Sequence, residues 1–449
     1  MKRQRFSFAV IACTSLVLFG CIGLALTHNF ISEDVRYFLS IIVCVVEATL
    51  LLWSFYQSII GIAGVMPLKQ INTPLKRYPK ILCLTAAHNE DAVIATHIRS
   101  LKSLNYPSGA YSIVVLADNC TDQTARVADA AGATVWERHN SRLTGKGHAL
   151  RWALHQKANL EEYDAICFFD ADNLVHSDFL TVMARHVEDG KMAVQGYLDT
   201  KNPWDSWVTT AYASSYWYMN RFWQRARAIL GLSAAICGTG FCLSTQALRQ
   251  IPWEATSLTE DLEYTARLLL RGHRVHFAHD ALVYDEKPLN YAATVPQRQR
   301  WMQGFWTTAF KYTKPLSKIA FSGESSWLRS VDLLIYTWQP VFVLLTGLNI
   351  LFSVAQWCFG MKWFHPWLIS LIPPAAWETL GLIGLALPIT ALILERAGWR
   401  AYVLFPLYLV FNVSWVPITI EAIRHLKSTE WVHTEHHRAI SLEEIDKVS

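Results

Sequence analysis

Charge is scarce in this sequence. Asp, Glu, Lys and Arg make up 17% of its 449 residues, against about 25% in an average soluble chain. The formal balance of +4 is too small and too dispersed for a nucleic-acid partner, and no basic stripe interleaved with aromatics appears. Nine cysteines contain no CxxC pair, which argues against a structural zinc site. Their odd number and irregular spacing suit reduced thiols facing a cytoplasm. Thr144-Gly145-Lys146-Gly147 lacks the GxxxxGK(S/T) spacing, so the chain has no P-loop.

Apolar residues are abundant instead, at 52%, and they gather at the two ends of the chain. A run over 6–26 follows Lys2, Arg3 and Arg5, as a signal peptide would, but no small-x-small cleavage site follows it. A second run over 35–66 arrives soon after. Both are long enough to span the hydrocarbon, which needs about 20 residues. Lys69, Lys76, Arg77 and Lys80 follow the second, so the positive-inside rule puts the N-terminus and the middle of the chain in the cytoplasm. Three further runs cover 331–359, 367–394 and 401–423, with Trp338, Trp357, Trp363, Trp367, Trp399 and Trp415 in them or at their ends, and Pro340, Pro373, Pro374 and Pro388 predicting kinks. Two spans plus three would leave the polar tail, 424–449, outside, whereas its Arg424, His425, Lys427 and Arg438 read as cytoplasmic by charge. The expectation is a multi-pass protein of the plasma membrane whose middle, 77–310, is a cytoplasmic domain inserted between the N- and C-terminal spans.

That middle alternates short apolar runs, at 81–85, 113–116 and 165–169, with helical periodicity at 92–104 and 123–131. Strand, helix, strand in repetition predicts an α/β domain with a mostly parallel sheet. Ligands in such sheets bind beyond the carboxyl ends of the strands. Ala86-Ala87-His88-Asn89-Glu90 follows the first run, Asp118-Asn119-Cys120-Thr121-Asp122 the second, and Asp170-Ala171-Asp172 the third. Together these groups can read a base, a ribose and a metal-bound diphosphate. Hard carboxylate oxygens such as those of Asp170 and Asp172 suit Mg²⁺ or Mn²⁺, although Asp-rich strand ends are also ordinary solvated turns.

Thr259-Glu260-Asp261 opens a helix that runs to Arg271 and stops at Gly272. Acidic residues there cap a helix; alternatively Asp261 takes the proton from an attacking sugar hydroxyl. Gln297-Arg298-Gln299-Arg300-Trp301 offers an Arg fork for a diphosphate and a Trp face for a sugar, or an interfacial anchor. The aromatic segment 203–230 fits an amphipathic interfacial helix or one packed on the catalytic core. His433, His436 and His437 read as a polar tail more readily than as metal ligands.

In this order, DNCTD, DAD, TED and QRQRW with spans on both flanks resemble the family-2 glycosyltransferases, in particular the processive membrane branch of cellulose, chitin, hyaluronan and poly-N-acetylglucosamine synthases. The motifs cover about 80–310. The resemblance implies a GT-A fold, an inverting mechanism and a UDP-sugar donor of the glucose or N-acetylglucosamine type. By position it places Ala87, Asn89, Glu90 and Asp118 on the nucleotide, Asp170 on nucleotide and metal, Asp172 on the metal, and Lys146 on the donor. Asp261, with Glu260 beside it, is the catalytic base; Gln297, Arg300 and Trp301 hold the diphosphate and acceptor; and Gly240, in Gly238-Thr239-Gly240-Phe241, lines the acceptor site. AAHNE departs from the family by lacking a Tyr before the Asn. The implied product is a polysaccharide extended processively and passed through the bilayer. Addition of one sugar to a lipid carrier is the alternative. A transporter with a nucleotide sensor would need more intramembrane charges than Glu47 and Glu378.

Overall fold

The computed structural model describes residues 33–69, 71, 73–323, 326–359, 374–426, 438, 440 and 442–446. The expected span over 6–26, the start of that over 367–394 and the tail histidines lie outside the described residues. The chain divides into two compact units, one from 59–340 with 386–449 and the other from 1–58 with 341–385.

An eight-stranded sheet forms the heart of the larger unit, in the order β3-β2-β1-β4-β7-β6-β8-β5. Its strands are β1 (Ile81–Ala87), β2 (Tyr111–Asp118), β3 (Thr134–Arg138), β4 (Ala165–Asp170), β5 (Leu174–Val175), β6 (Ala193–Thr200), β7 (Phe241–Ser244) and β8 (Val275–Asp285). The first half is parallel, as expected. The second half is not, because the four-residue β7 lies antiparallel between β4 and β6, and β5 pairs antiparallel with β8. The sheet is therefore mixed. A strand that returns to the sheet from a distant loop carries no local signal of its direction, so strand-helix alternation alone overestimates parallel pairing.

Successive strand residues face opposite sides, and the core divides accordingly. Leu82 and Leu84 pack with Leu150, Trp253 and Tyr264 on one face, and Ile81 and Cys83 with Leu101, Phe179 and Met183 on the other. Register aligns the ends that matter: Ala86 pairs with Leu116 of β2 and with Asp170 of β4.

The helices used below are α1 (Glu33–Val65), α2 (Ile94–Lys102), α3 (Thr124–Ala130), α4 (Lys146–Gln156), α5 (Phe179–Glu188), α6 (Trp207–Met219), α7 (Glu260–Leu270), α8 (Tyr291–Ala320), α9 (Trp327–Thr337), α10 (Gln339–Phe359), α11 (Pro374–Leu394), α12 (Phe405–Val413) and α13 (Trp415–Arg424). Among the described residues two stretches are long and apolar enough to cross a membrane, Ile41–Val65 in α1 and Phe405–Arg424 over α12 and α13. The run expected as one span over 331–359 is broken at Trp338, between α9 and α10. Pro340 stands in the first turn of α10, where its missing N–H disturbs no helical bond but prevents α9 from running straight through.

The segment 203–230 packs into the core. α6 continues into a π-helical turn, Asn220–Arg225, and Tyr212, Trp217, Phe222, Trp223 and Arg227 are all buried. The Trp217 indole donates to Asp199 Oδ1 of β6 (2.9 Å).

Candidate active site

The three strand ends meet. Beyond β1, His88 Nδ1 lies 2.7 Å from the Asp118 carbonyl, and Asn89 Oδ1 accepts from the Thr121 amide (2.8 Å). Asn89 and Asn119 adopt left-handed backbone, with φ of 56° and 52°, a conformation Asn tolerates better than other side chains. Ala87 is buried, and the Glu90 amide donates to Thr124 Oγ1 at the start of α3 (2.7 Å). These residues hold the AAHNE and DNCTD turns against each other. Asp118 itself is paired with Arg138 of β3, Nη1 to Oδ1 at 2.5 Å, and both side chains are buried. Arg138 was not among the expected site residues. Its Nη2 also donates to the Leu143 carbonyl (2.6 Å), tying in the loop that leads to Lys146.

Lys146 opens α4 and pairs with Asp170; its ammonium also donates to the Gly238 carbonyl (2.8 Å). Burial disfavours its charge, but Asp170, Glu260 and Asp261 outweigh that and hold its pKa above the ordinary value. Gly238 borders both halves of the site: its carbonyl receives Lys146, and a Cβ added to it would lie 3.5 Å from Asp261 Oδ2. Gly240, with φ of 61°, turns the chain into β7, and its amide donates to the Phe168 carbonyl (2.9 Å).

Glu260 and Asp261 form the first turn of α7. Asp261 Oδ1 accepts from the Leu262 amide (2.8 Å), so one oxygen serves the helix terminus while the other lies on the Gly238 side. Capping and chemistry are compatible here. Burial, then the neighbouring Asp261 charge, pushes the Glu260 carboxyl up to about 7, against the pull of Lys146 and Arg300. Asp261 is raised by burial, opposed by the Leu262 amide, Lys146 and Arg300. Arg300 thus lies within electrostatic reach of both carboxylates.

Gly304 lets α8 close on this turn. A Cβ there would stand 2.1 Å from Thr259 Oγ1 and Cγ2. Gly304→Ala is expected to cost about 1–3 kcal/mol through overpacking and to slow turnover by separating Arg300 from Asp261. Melting temperature and donor hydrolysis of the purified variant check this, and an unchanged rate would refute the close-packing role.

Gln297 and Trp301 face an aromatic cluster. Tyr212 OH donates to Gln297 Oε1 (3.1 Å), and the Trp301 ring lies 6.3 Å from both Tyr212 and Trp415. Arg298, unassigned by the sequence reading, is fully buried between Phe411 (4.2 Å) and Trp415 (3.9 Å). It donates to Ser414 Oγ (3.0 Å) and the Phe411 carbonyl (3.2 Å), supplying partners where α12 gives way to α13. The Q-x-x-R-W stretch is therefore fastened to the apolar segment Phe405–Arg424.

Asp172 is buried, and its Oδ2 accepts from the Glu286 amide (2.8 Å). Asp285 and Lys287, on either side of Glu286, form a pair at 2.7 Å, with the ammonium 3.2 Å over the Tyr216 ring. Burial raises the Asp285 carboxyl to about 6; Lys287 opposes this, and the Asp172 and Asp170 charges add to it. No group of three or more His, Cys, Asp or Glu side chains poised for a metal occurs among the described residues. The donor set nevertheless fits Mg²⁺ or Mn²⁺, because such ions take one or two protein carboxylates and complete their shell with substrate phosphates and water. Asp172 and the more exposed Asp170 are the carboxylates that would supply those oxygens.

A family model described as glycosyltransferase like family 2 matches residues 79–304, half of the chain. Beta-monoglucosyldiacylglycerol synthase of Synechocystis sp. is 26% identical over 384 residues, covering 80% of this chain and 75% of that one. Poly-beta-1,6-N-acetyl-D-glucosamine synthase of Staphylococcus epidermidis is 25% identical over 52% of this chain, which spans 58% of its length. A mannosyltransferase from Pyrobaculum calidifontis, solved with GDP-Man and Mn²⁺, superposes with a TM-score of 0.53 over 87% of this chain and 99% of that one, at 14% identity. That likeness is one of fold, a GT-A-like α/β domain.

Proposed function

The chain belongs to glycosyltransferase family 2, and from that premise we propose that it transfers one hexose from a UDP-sugar to a lipid acceptor at a membrane surface, inverting the anomeric carbon. The carrying observation is the seating of Trp301 and Arg298 against Trp415 in the apolar stretch Phe405–Arg424. An acceptor reaching Asp261 past Trp301 arrives along a segment apolar enough to lie in lipid. The relationship to a synthase whose name specifies a glucosylated diacylglycerol supports the same acceptor class. Processive polysaccharide synthesis, which the motif order leads one to expect, is the second reading, supported by the relationship to a poly-N-acetylglucosamine synthase over 52% of the chain.

The acceptor hydroxyl attacks the anomeric carbon from the side opposite the diphosphate. The new C–O bond forms as the bond to phosphate breaks, and the proton passes to Asp261. Arg300 and Lys146 stabilise the departing diphosphate. When bound at Asp172, a divalent ion supplies further charge neutralisation. Asp118 and the turn at Ala87–Glu90 receive the nucleoside, and the Trp301 face receives the acceptor.

Acceptor presentation tests this. In mixed micelles, the initial rate of UDP release is expected to follow the mole fraction of diacylglycerol or glycolipid acceptor at fixed bulk concentration, and Trp301→Ala to weaken that dependence. A rate governed by bulk concentration alone, or by a soluble oligosaccharide, favours the second reading.

The raised carboxyls predict a pH dependence. A base acts when ionised, so the rate falls as pH drops through its folded-state pKa. Because burial raises Asp261 against the pull of the Leu262 amide, Lys146 and Arg300, the acid limb is expected above that of a free carboxylate. Glu260 keeps its proton to higher pH, up to about 7, because the ionised Asp261 beside it adds to burial; it is therefore neutral while Asp261 titrates, and Glu260→Gln is expected to leave the acid limb in place. A pH–kcat series on both proteins measures it; an acid limb that moves or disappears in Glu260→Gln would assign the limb to Glu260 and contradict the reading of Asp261 as the base.

A further inference from the structure

The geometry points to Asn173 as a positioning residue that sets the metal-binding carboxylate Asp172 in register with the Gly238–Gly240 segment. The inference rests on the reading of Asp172 as the carboxylate that holds a divalent ion. Asn173 is fully buried directly after the Asp170-Ala171-Asp172 motif. Its Nδ2 donates to Asp172 Oδ1 (3.2 Å), while its Oδ1 accepts from the Asp170 amide (3.1 Å) and from the Thr239 hydroxyl. One planar amide thus touches both halves of the acidic motif and the segment that carries Gly238.

The remaining contacts close a ring. Thr239 Oγ1 also accepts from the Asp170 amide (3.1 Å), Gly238 receives the Lys146 ammonium, and Lys146 pairs with Asp170. Gly238 in turn borders the Asp261 carboxylate. From the other side, His97 Nδ1 lies 2.8 Å from the Asn173 carbonyl, and His97 Nε2 lies 2.8 Å from Thr85 Oγ1 on β1. The Asn173 backbone is therefore anchored to the sheet, and its side chain has no slack. Asp172 is held from its second oxygen by the Glu286 amide and at its carbonyl by Lys201 Nζ (2.7 Å). Both carboxylate oxygens are oriented by fixed donors, and only Asn173 among these donors also binds the segment bordering Asp261.

A buried Asn hydrogen-bonded at both ends of its amide also serves plain stability, so the test needs a readout that folding alone does not move. Outer-shell partners of ligating residues typically contribute 10- to 100-fold to metal affinity. Calorimetric titration of UDP into full-length purified protein, with Mn²⁺ and with EDTA, separates metal-dependent from metal-independent binding. Asn173→Ala is expected to weaken UDP binding in Mn²⁺ by roughly 10- to 100-fold and to leave binding in EDTA unchanged. Thr239→Val keeps the side-chain shape and removes the hydroxyl that steadies Asn173 and accepts from the Asp170 amide. It is expected to weaken the same affinity in the same direction, and it decides the matter should Asn173→Ala not fold. Metal-dependent binding unchanged in Thr239→Val and in any folded Asn173→Ala overturns the inference alone. Wild-type binding equal in Mn²⁺ and EDTA, or metal dependence that survives in Asp172→Asn, overturns the reading of Asp172 and the inference with it.

Discussion

Asp261→Asn is expected to lower kcat by roughly 10²- to 10⁴-fold, the usual contribution of a positioned general base, while UDP affinity stays near that of the wild type. Asn keeps an acceptor oxygen for the Leu262 amide that Asp261 Oδ1 now receives, so the start of α7 is preserved. What it loses is proton affinity on the Gly238 side of the carboxyl group. Glu260→Gln is the informative comparison: it replaces the neighbouring carboxyl but leaves the base, and should retain most turnover with the acid limb in place. If Glu260→Gln were the inactive variant and Asp261→Asn the active one, the two roles would have to be exchanged. Steady-state kinetics with calorimetry on the same preparations distinguish these outcomes.

Arg300→Ala is the second large effect, expected at roughly 10²- to 10³-fold in kcat, comparable with removing one preorganised donor from a developing oxyanion. Arg300 lies within the field of Glu260 and Asp261, on the helix that Gly304 seats against Thr259. Its planar fork suits a diphosphate, and a lysine places a single point charge there instead. Arg300→Lys should therefore recover only part of the loss. Arg298→Ala offers the contrast. Its guanidinium is enclosed by Phe411, Trp415 and Ser414, so its loss should act on stability and on the seating of α8 against 405–424. Equal kinetic defects with equal melting temperatures for the two variants would contradict this division.

The parallel half of the sheet was legible because each strand there is a contiguous apolar run with its polar cargo directly behind it. The runs at 81–85, 113–116 and 165–169 fall inside β1, β2 and β4, and periodicity at 92–104 and 123–131 encloses α2 and α3. The antiparallel β7 was not, since four residues after a glycine turn say nothing of which strands will flank them. Segment 203–230 was ambiguous because a helix buried on most sides has no single apolar stripe to read. The helix break at Trp338 was foreshadowed by Pro340, though composition alone gave one run. Among site residues, Asp170 and Asp261 were legible from motif order, and Lys146 and the segment of Gly240 by position in the resemblance; the structure brings Lys146, Asp170 and Asp261 together around Gly238. Arg138, Asn173, Asp285 and Lys287 were not legible. Each acts through a partner distant in sequence or through a backbone turn, and a buried amide or ion pair has no pattern of its own. Arg298 carried a usable signal, a second arginine two residues before Arg300 in a stretch given one anionic ligand.

Mass analysis of the product tests the central claim most directly. Purified full-length protein in vesicles containing diacylglycerol, supplied with UDP-glucose and Mn²⁺, is predicted to yield a lipid heavier by a single hexose, β-linked, with UDP released in equal amount. UDP release accompanied by a long glycan and no glycosylated lipid would contradict the account and establish the chain as a polysaccharide synthase.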